Sequence, residues 1–223
     1  MELRQIATFH SPLESKFGVP KQSGLASHLE GRVVFLPDFR NADALRGIEG
    51  FDYLWLIWAF SANPHQAASP VVRPPVLGGN ERVGVFASRS PFRPNPIGLS
   101  SVRLDRVEWE TPEGPVLYVK GADLMDGTPI YDIKPYLPYA DCHAEAKAGF
   151  TDVRKWERLK VVFSEDAAGK LSEKERTEVG EVLSLDPRPR YHTDVMRVYG
   201  MPYAGRDVKF HTDGETLFVI DVV

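Results

Sequence analysis

Three prolines within six residues, Pro91, Pro94 and Pro96, restrict this chain more than any other feature. Each fixes its own φ and pushes the preceding residue out of the helical region. Upstream, Val83, Val85 and Ala87 alternate with Gly84 and Phe86; downstream, Ile97, Leu99 and Ser101 resume an extended pattern through Leu104. The spacing predicts a strand, a stiff loop of fixed shape over residues 90–96, and a second strand. Such a loop carries Arg89, Arg93 and Asn95 at set angles. A connective loop is more often rich in Gly, Ser and Asp, so the segment reads either as a functional site or as a rigid connector. Asn95-Pro96 has two readings of its own. The Asn side-chain carbonyl can accept from an exocyclic amino or amide N–H, which suits a base-modifying enzyme. It can equally hold the loop as an Asx-turn.

Length and composition bound the rest. A chain of 223 residues, 43% hydrophobic and 26% charged, suits one globular domain, or one with a small appendage. No apolar run reaches membrane-span length, and Met1-Glu2-Leu3-Arg4-Gln5 is not a secretory signal. The single cysteine, Cys142, excludes an internal disulfide framework and points to the cytoplasm. Flanked by Asp141 and His143 but by no second metal-type cluster, it reads as a bystander. A formal charge of −4 argues mildly against nucleic acid, although binding is a local property. Arginines recur in the proline-rich segments, at 73, 82, 89, 93, 188 and 190. No glycine-rich strand–turn–helix fingerprint is present, which argues against a Rossmann fold.

Further matches give the proline loop a family. Ser88-Arg89-Ser90-Pro91-Phe92-Arg93-Pro94-Asn95-Pro96-Ile97-Gly98-Leu99-Ser100 resembles the hallmark of the TsaA-like family, the TrmO-type tRNA (adenine(37)-N6)-methyltransferases. Segments 17–25, 42–51, 54–56, 72–75, 77–80, 123–129, 132–138 and 186–189 match in order along both halves of the chain. The resemblance implies a β-barrel cofactor domain and use of S-adenosylmethionine. It further implies methylation of N6 of threonylcarbamoyladenosine at position 37 of tRNA, and a homodimer with the cofactor near its interface. The expected architecture is mainly β with some α. A TsaA-like barrel spans residues 1–140, a linker 141–155, and a small C-terminal α/β domain, the presumed tRNA contact, 156–223.

Taken in order, residues 3–9 and 31–36 read as strands, and 41–47 as one or two helical turns from Asn41 to Gly47. Residues 53–60 are apolar on both faces. One face is expected on the barrel core and the other under a helix or a second subunit. Strands at 107–110 and 116–120 form a hairpin, Asp126-Gly127 makes a turn, and residues 130–133 are extended. Beyond the linker come a strand at 159–163 and a helix opened by the capping box Ser172–Glu175. A hairpin over 208–222 turns at Asp213-Gly214.

The resemblance also assigns residues. Pro20, Lys21, Gln22, Ser61, Ala62, Arg89, Leu99, Ala122, Asp123, Leu124 and Met125 are expected to hold the cofactor. Ser61-Ala62 stands where several relatives carry His-Gln, and His65-Gln66 does not align without moving a gap. Asn95, Arg93 and Asp126 are the candidate catalytic set, with Asp126 the nearest candidate for a base. Asp123 and Asp126 suit a ribose diol or an ammonium group better than a metal, for want of a third ligand. Lys134, Arg188, Arg190 and Tyr191 are the candidate RNA contacts. In an extended loop the two arginines project to one side and can span phosphates, or they form an interdomain ion pair with nearby acids. Two rivals are a methyltransferase acting on another substrate, and a non-catalytic adaptor that binds S-adenosylmethionine or RNA.

Overall fold

Period-two alternation of apolar residues builds most of this molecule, and the strand burial follows it. The computed structural model describes residues 2–63, 69–74, 77, 81–152, 158–188, 194 and 197–223. In chain order the strands of the first half are β1 (Ala7–His10), β2 (Glu30–Phe35), β3 (Tyr53–Ala59), β4 (Val71–Val72), β5 (Val83–Gly84), β6 (Ile97–Glu108), β7 (Val116–Lys120) and β8 (Thr128–Pro135). Six of them close into an antiparallel barrel in the order β1-β2-β7-β6-β3-β8, with β8 returning to β1. Its interior is Ala7, Phe9, Val33, Phe35, Leu54, Leu56, Val102, Leu117, Val119 and Ile130. Closure leaves no edge strand to protect.

The strand β3 shows how the pattern resolves. Leu54, Leu56 and Trp58 point into the barrel, while Tyr53, Trp55 and Ile57 point outward and are only partly covered. Trp55 leans on Tyr136 at 5.6 Å and donates its indole N–H to Asp141 at 3.0 Å. Asp141 belongs to the four-residue helix α1 (Pro138–Asp141), which lies across the boundary expected for a linker. Asn41 caps its helical turn as expected, its side chain accepting from the Asp43 amide. The strand expected over 83–87 stops at Gly84. Val85–Ala87 is a single 3-10 turn, closed by Ser88, whose amide and hydroxyl both donate to the Val85 carbonyl. That turn buries Val85 and throws Phe86 outward, 79% exposed.

The second half adds β9 (Lys160–Phe163), α2 (Glu165–Gly169), α3 (Glu173–Ser184), β10 (Tyr199–Tyr203), β11 (Arg206–Thr212) and β12 (Thr216–Val222). The sheet order is β10-β11-β12-β9, with β9 parallel to β12. The capping box forms at Ser172 and Glu175, and the β11–β12 hairpin turns through Asp213 and Gly214. This core is not made by the C-terminal residues alone. Leu13, Ala26 and Leu29, from the segment between β1 and β2, are buried in it beside Val182, Met201 and Phe210. Gly18, at φ +98°, passes so close to Met201 that an added Cβ would sit 2.6 Å from the thioether sulfur. The segment that crosses from barrel to second core is therefore fixed from both sides.

Candidate active site

Four stretches of chain meet at one end of the barrel and enclose a cavity of about 620 Å³. The first is the start of the crossing segment, contributing Lys16, Val19, Pro20, Lys21 and Gln22. Hydrogen bonds from the Gly24 amide to the Gly121 carbonyl and from the Asp126 amide to the Leu13 carbonyl tie it to the loop after β7. The second is the end of β3 with Trp58, Phe60, Ser61, Ala62 and Asn63; the third is the proline loop with the start of β6; the fourth is Asp123, Met125 and Thr128. A cavity of this size, with apolar walls and a few converging polar groups, has the form of a small-molecule site.

Local hydrogen bonds stiffen the proline loop beyond what its prolines impose. The Ser88 hydroxyl accepts from the Ser90 amide and the Ser90 hydroxyl from the Phe92 amide. Arg93 is folded back by donation from Nη1 to the Ser88 carbonyl at 3.2 Å. Arg89 Nη1 donates to Gln22 Oε1 at 2.6 Å, joining the proline loop to the crossing segment. Lys16 Nζ donates to Asn63 Oδ1 at 2.5 Å, joining that segment to the end of β3. Asn95 is exposed at the rim, and among the described residues its side chain takes no hydrogen bond, so the structure contains no Asx-turn there.

At the cavity floor Trp58 Nε1 donates to Ser100 Oγ at 2.9 Å, and Ser100 Oγ donates to Asp123 Oδ1 at 2.5 Å. Burial pushes the Asp123 carboxyl above the usual aspartate range, opposed by the Ser100 hydroxyl, backbone amides and the Arg89 charge. Lys21 is exposed as a residue, yet protein crowds its ammonium, and the lost hydration lowers its pKa. The described lining holds four cations (Lys16, Lys21, Arg89 and Arg93) against the single carboxylate of Asp123. A chain of net charge −4 thus concentrates positive potential at this one place.

Of the expected cofactor residues, Pro20, Lys21, Gln22, Ser61, Ala62, Arg89, Leu99, Asp123 and Met125 line the cavity, as do Arg93 and Asn95. Ala122 and Leu124 do not; their side chains are buried in the barrel core. Asp126 also lies outside the lining. Its carboxylate accepts from the Ser11 amide and meets His10 Nδ1, both at 3.1 Å, so it braces the turn next to the site. Lys134 sits on β8, paired with Asp132 at 3.0 Å and away from the cavity. Arg188 binds both oxygens of Asp186, at 2.7 and 2.9 Å, with its side chain 12% exposed. The guanidinium is engaged within its own loop, by an acid two residues away, and not in the interdomain pair that was the alternative to a phosphate contact. Arg190, Tyr191, His65 and Gln66 lie outside the described residues. Sequence reasoning overlooked Trp58 and Ser100 as site residues, although both lie in strings it singled out. The signal was parity: Gly98 and Ser100 occupy inward positions of β6 that would ordinarily be large and apolar.

Comparison with known proteins gives the family. Residues 8–142 match the model for the tRNA-methyltransferase O N-terminal domain, and residues 156–223 match that for the TrmO C-terminal domain. A tRNA (adenine(37)-N6)-methyltransferase of Escherichia coli is 40% identical over 196 residues, which is 85% of this chain and 83% of that protein. A putative S-adenosylmethionine-dependent methyltransferase RcsF of Pseudomonas aeruginosa is 38% identical over 97% of this chain and 95% of its own length. A crystal structure of TrmO superimposes with a TM-score of 0.81 at 33% identity, covering 100% of this chain and 99% of that one. Matched in both halves and superimposable over its whole length, the chain belongs to the tRNA-methyltransferase O family, TrmO.

Proposed function

We propose that this chain methylates N6 of the adenosine at position 37 of tRNA with S-adenosylmethionine, and that the adenosine already carries a threonylcarbamoyl group. The family supports the reaction class, and relatives are named for that enzyme and that cofactor. The observation that carries the reading is the cavity's charge: four cations and one carboxylate around apolar walls. The threonyl adduct and the tRNA backbone are anionic, and S-adenosylmethionine, although a net cation, carries one carboxylate; the lining suits those anionic groups. When bound, the cofactor supplies an electrophilic methyl group on a sulfonium sulfur.

The residues present fit that cofactor. Arg89, held by Gln22, and Lys21 are placed to bind a carboxylate, the guanidinium as a two-pronged clamp. Trp58, Phe60, Leu99 and Met125 supply apolar walls that exclude water. Asn95, at the rim with no side-chain hydrogen bond among the described residues, orients the N6 region of the base, with Arg93 behind it. Ile97, Leu99 and Phe92 expose apolar surface beside the cavity, which supports a homodimer whose partner covers that rim. Calorimetry with S-adenosylmethionine tests the cofactor part: binding in the micromolar to millimolar range is expected. No binding overturns both methyltransferase readings, and binding without methyl transfer to any tRNA favours the adaptor. Light scattering is expected to give a dimer at micromolar concentration, and a monomer there removes the interface.

A further inference from the structure

Methylating an acylated exocyclic nitrogen requires its proton to leave, because the nitrogen of a urea-like group is a poor nucleophile while protonated. The described lining offers few acceptors. The guanidinium groups of Arg89 and Arg93 offer no acceptor, Lys16 is hydrogen-bonded to Asn63, and there is no histidine among the described lining residues. Asp126, the obvious carboxylate from sequence, lies outside the cavity against His10 and Ser11. That leaves Asp123.

We propose that Asp123 is the general base for N6, and that Ser100 and Trp58 are positioning residues that hold its carboxylate. The proposal rests on the substrate reading above. Three features of the structure carry it. First, Asp123 is the one carboxylate among the described lining residues. Second, it is aimed by a relay, Trp58 Nε1–H to Ser100 Oγ and Ser100 O–H to Asp123 Oδ1, whose central residue, Ser100, is 1% exposed inside the barrel. A buried hydroxyl on an inward barrel position is costly unless its bonds are made, so the relay is a built feature. Third, a carboxylate has about four lone-pair sites. The Ser100 hydroxyl takes one of them, on Oδ1, and Asp123 lines the cavity.

The step balances without a further reactant. The N6 proton passes to a carboxylate oxygen of Asp123, and the nitrogen electron pair forms the bond to the methyl carbon. The carbon–sulfur bond breaks with its pair kept by sulfur, and the proton then leaves Asp123 for solvent. Burial raises the carboxyl's pKa, which strengthens it as a base, while the nearby Arg89 charge opposes that rise.

The test has one arm without substrate. In the free protein, the Asp123 carboxyl is followed by carbon-13 NMR against pH, in wild type and in Ser100→Ala. The expected result is a titration above the usual aspartate range that moves higher in Ser100→Ala, because the lost hydrogen bond had favoured the charged form. An ordinary titration, unmoved by the substitution, overturns the relay. The second arm compares Asp123→Asn and Lys21→Gln with wild type on tRNA carrying threonylcarbamoyladenosine, with cofactor affinity measured separately. Asp123→Asn is expected to lower kcat by about 100- to 1,000-fold with cofactor Kd within a few-fold of wild type. A raised Kd with kcat restored at saturation makes Asp123 a cofactor ligand and overturns the base assignment. So does an acidic limb of the rate profile that disappears in Lys21→Gln and persists in Asp123→Asn. If wild type itself leaves this tRNA unmethylated, the substrate reading falls and takes the proposal with it; an active wild type with an equally active Asp123→Asn removes the base alone.

Discussion

Gly98→Ala tests the packing that holds the cavity floor. A Cβ at this position would stand 2.2 Å from Trp58 Cε2, 2.5 Å from Cζ2 and 2.6 Å from Cδ2. Ordinary contact begins at 3.4 Å, so the indole must retreat by more than 1 Å. It has little freedom to do so. Phe60 packs edge-on against it at 4.3 Å between centroids, and its N–H is spent on Ser100. Overpacking of this kind costs about 1 to 3 kcal/mol, and a Trp58–Ser100 hydrogen bond pulled out of range adds about 1 kcal/mol. The sum, about 2 to 4 kcal/mol, corresponds to a fall in Tm of roughly 5 to 15 °C for a domain of this size. The control is Gly84→Ala: Gly84 has φ −59° and nothing within 4 Å of an added Cβ, so its change should stay within about 0.5 kcal/mol. Thermal and urea unfolding of both variants decide the matter. If Gly98→Ala melts within a degree or two of Gly84→Ala, the floor is not packed as described, and the relay through Ser100 loses its mechanical basis.

Arg89→Ala should weaken S-adenosylmethionine binding by roughly 10- to 100-fold in calorimetry, the worth of one charge-assisted contact of about 1.5 to 3 kcal/mol; an unchanged Kd and rate return Arg89 to a connector role. Glu178 on α3 is buried, bonded to the Tyr203 hydroxyl and the Glu30 amide, and burial pushes its pKa up. A carboxyl whose folded pKa exceeds its unfolded value makes the fold lose stability as pH rises from about 4.5 through the raised pKa. Urea unfolding should therefore show Glu178→Gln gaining on wild type between pH 4 and pH 7, and a difference flat with pH refutes the burial argument. Ser172→Ala removes one half of the α3 capping box and should cost about 1 kcal/mol by the same method.

How much of this was legible in the sequence differs by element. The strand β7 falls at 116–120, where the hairpin signal puts it, and so do the capped helix α3 and the Asp213-Gly214 turn. Local chemistry decides those. The strand expected through Ala87 failed because a serine hydroxyl three residues on offered Val85 a tighter turn, a competition that apolar alternation does not reveal. The strand β10 and helix α2 carry weak patterns of their own, with Gly200 and Pro202 inside β10, and take shape from the sheet and core around them. At the site, the proline loop announced itself because its stiffness is written in local residue types. Asp126 and Asp123 were alike in sequence, three residues apart in one turn. Only the barrel closure brings Ser100 under one of them and His10 beside the other. In sequence Arg188 suits either a phosphate or an interdomain acid, and the loop instead turns Asp186, two residues away, onto it.

The measurement that bears most directly on the function is methyl transfer from labelled S-adenosylmethionine to two preparations of one tRNA, one carrying threonylcarbamoyladenosine at position 37 and one unmodified. The four cations around one carboxylate should engage the adduct's own carboxylate as well as the cofactor's. The modified tRNA is expected to gain one methyl group at N6 while the unmodified transcript gains none. Equal methylation of both would contradict the assignment of the threonylcarbamoyl group as part of the substrate.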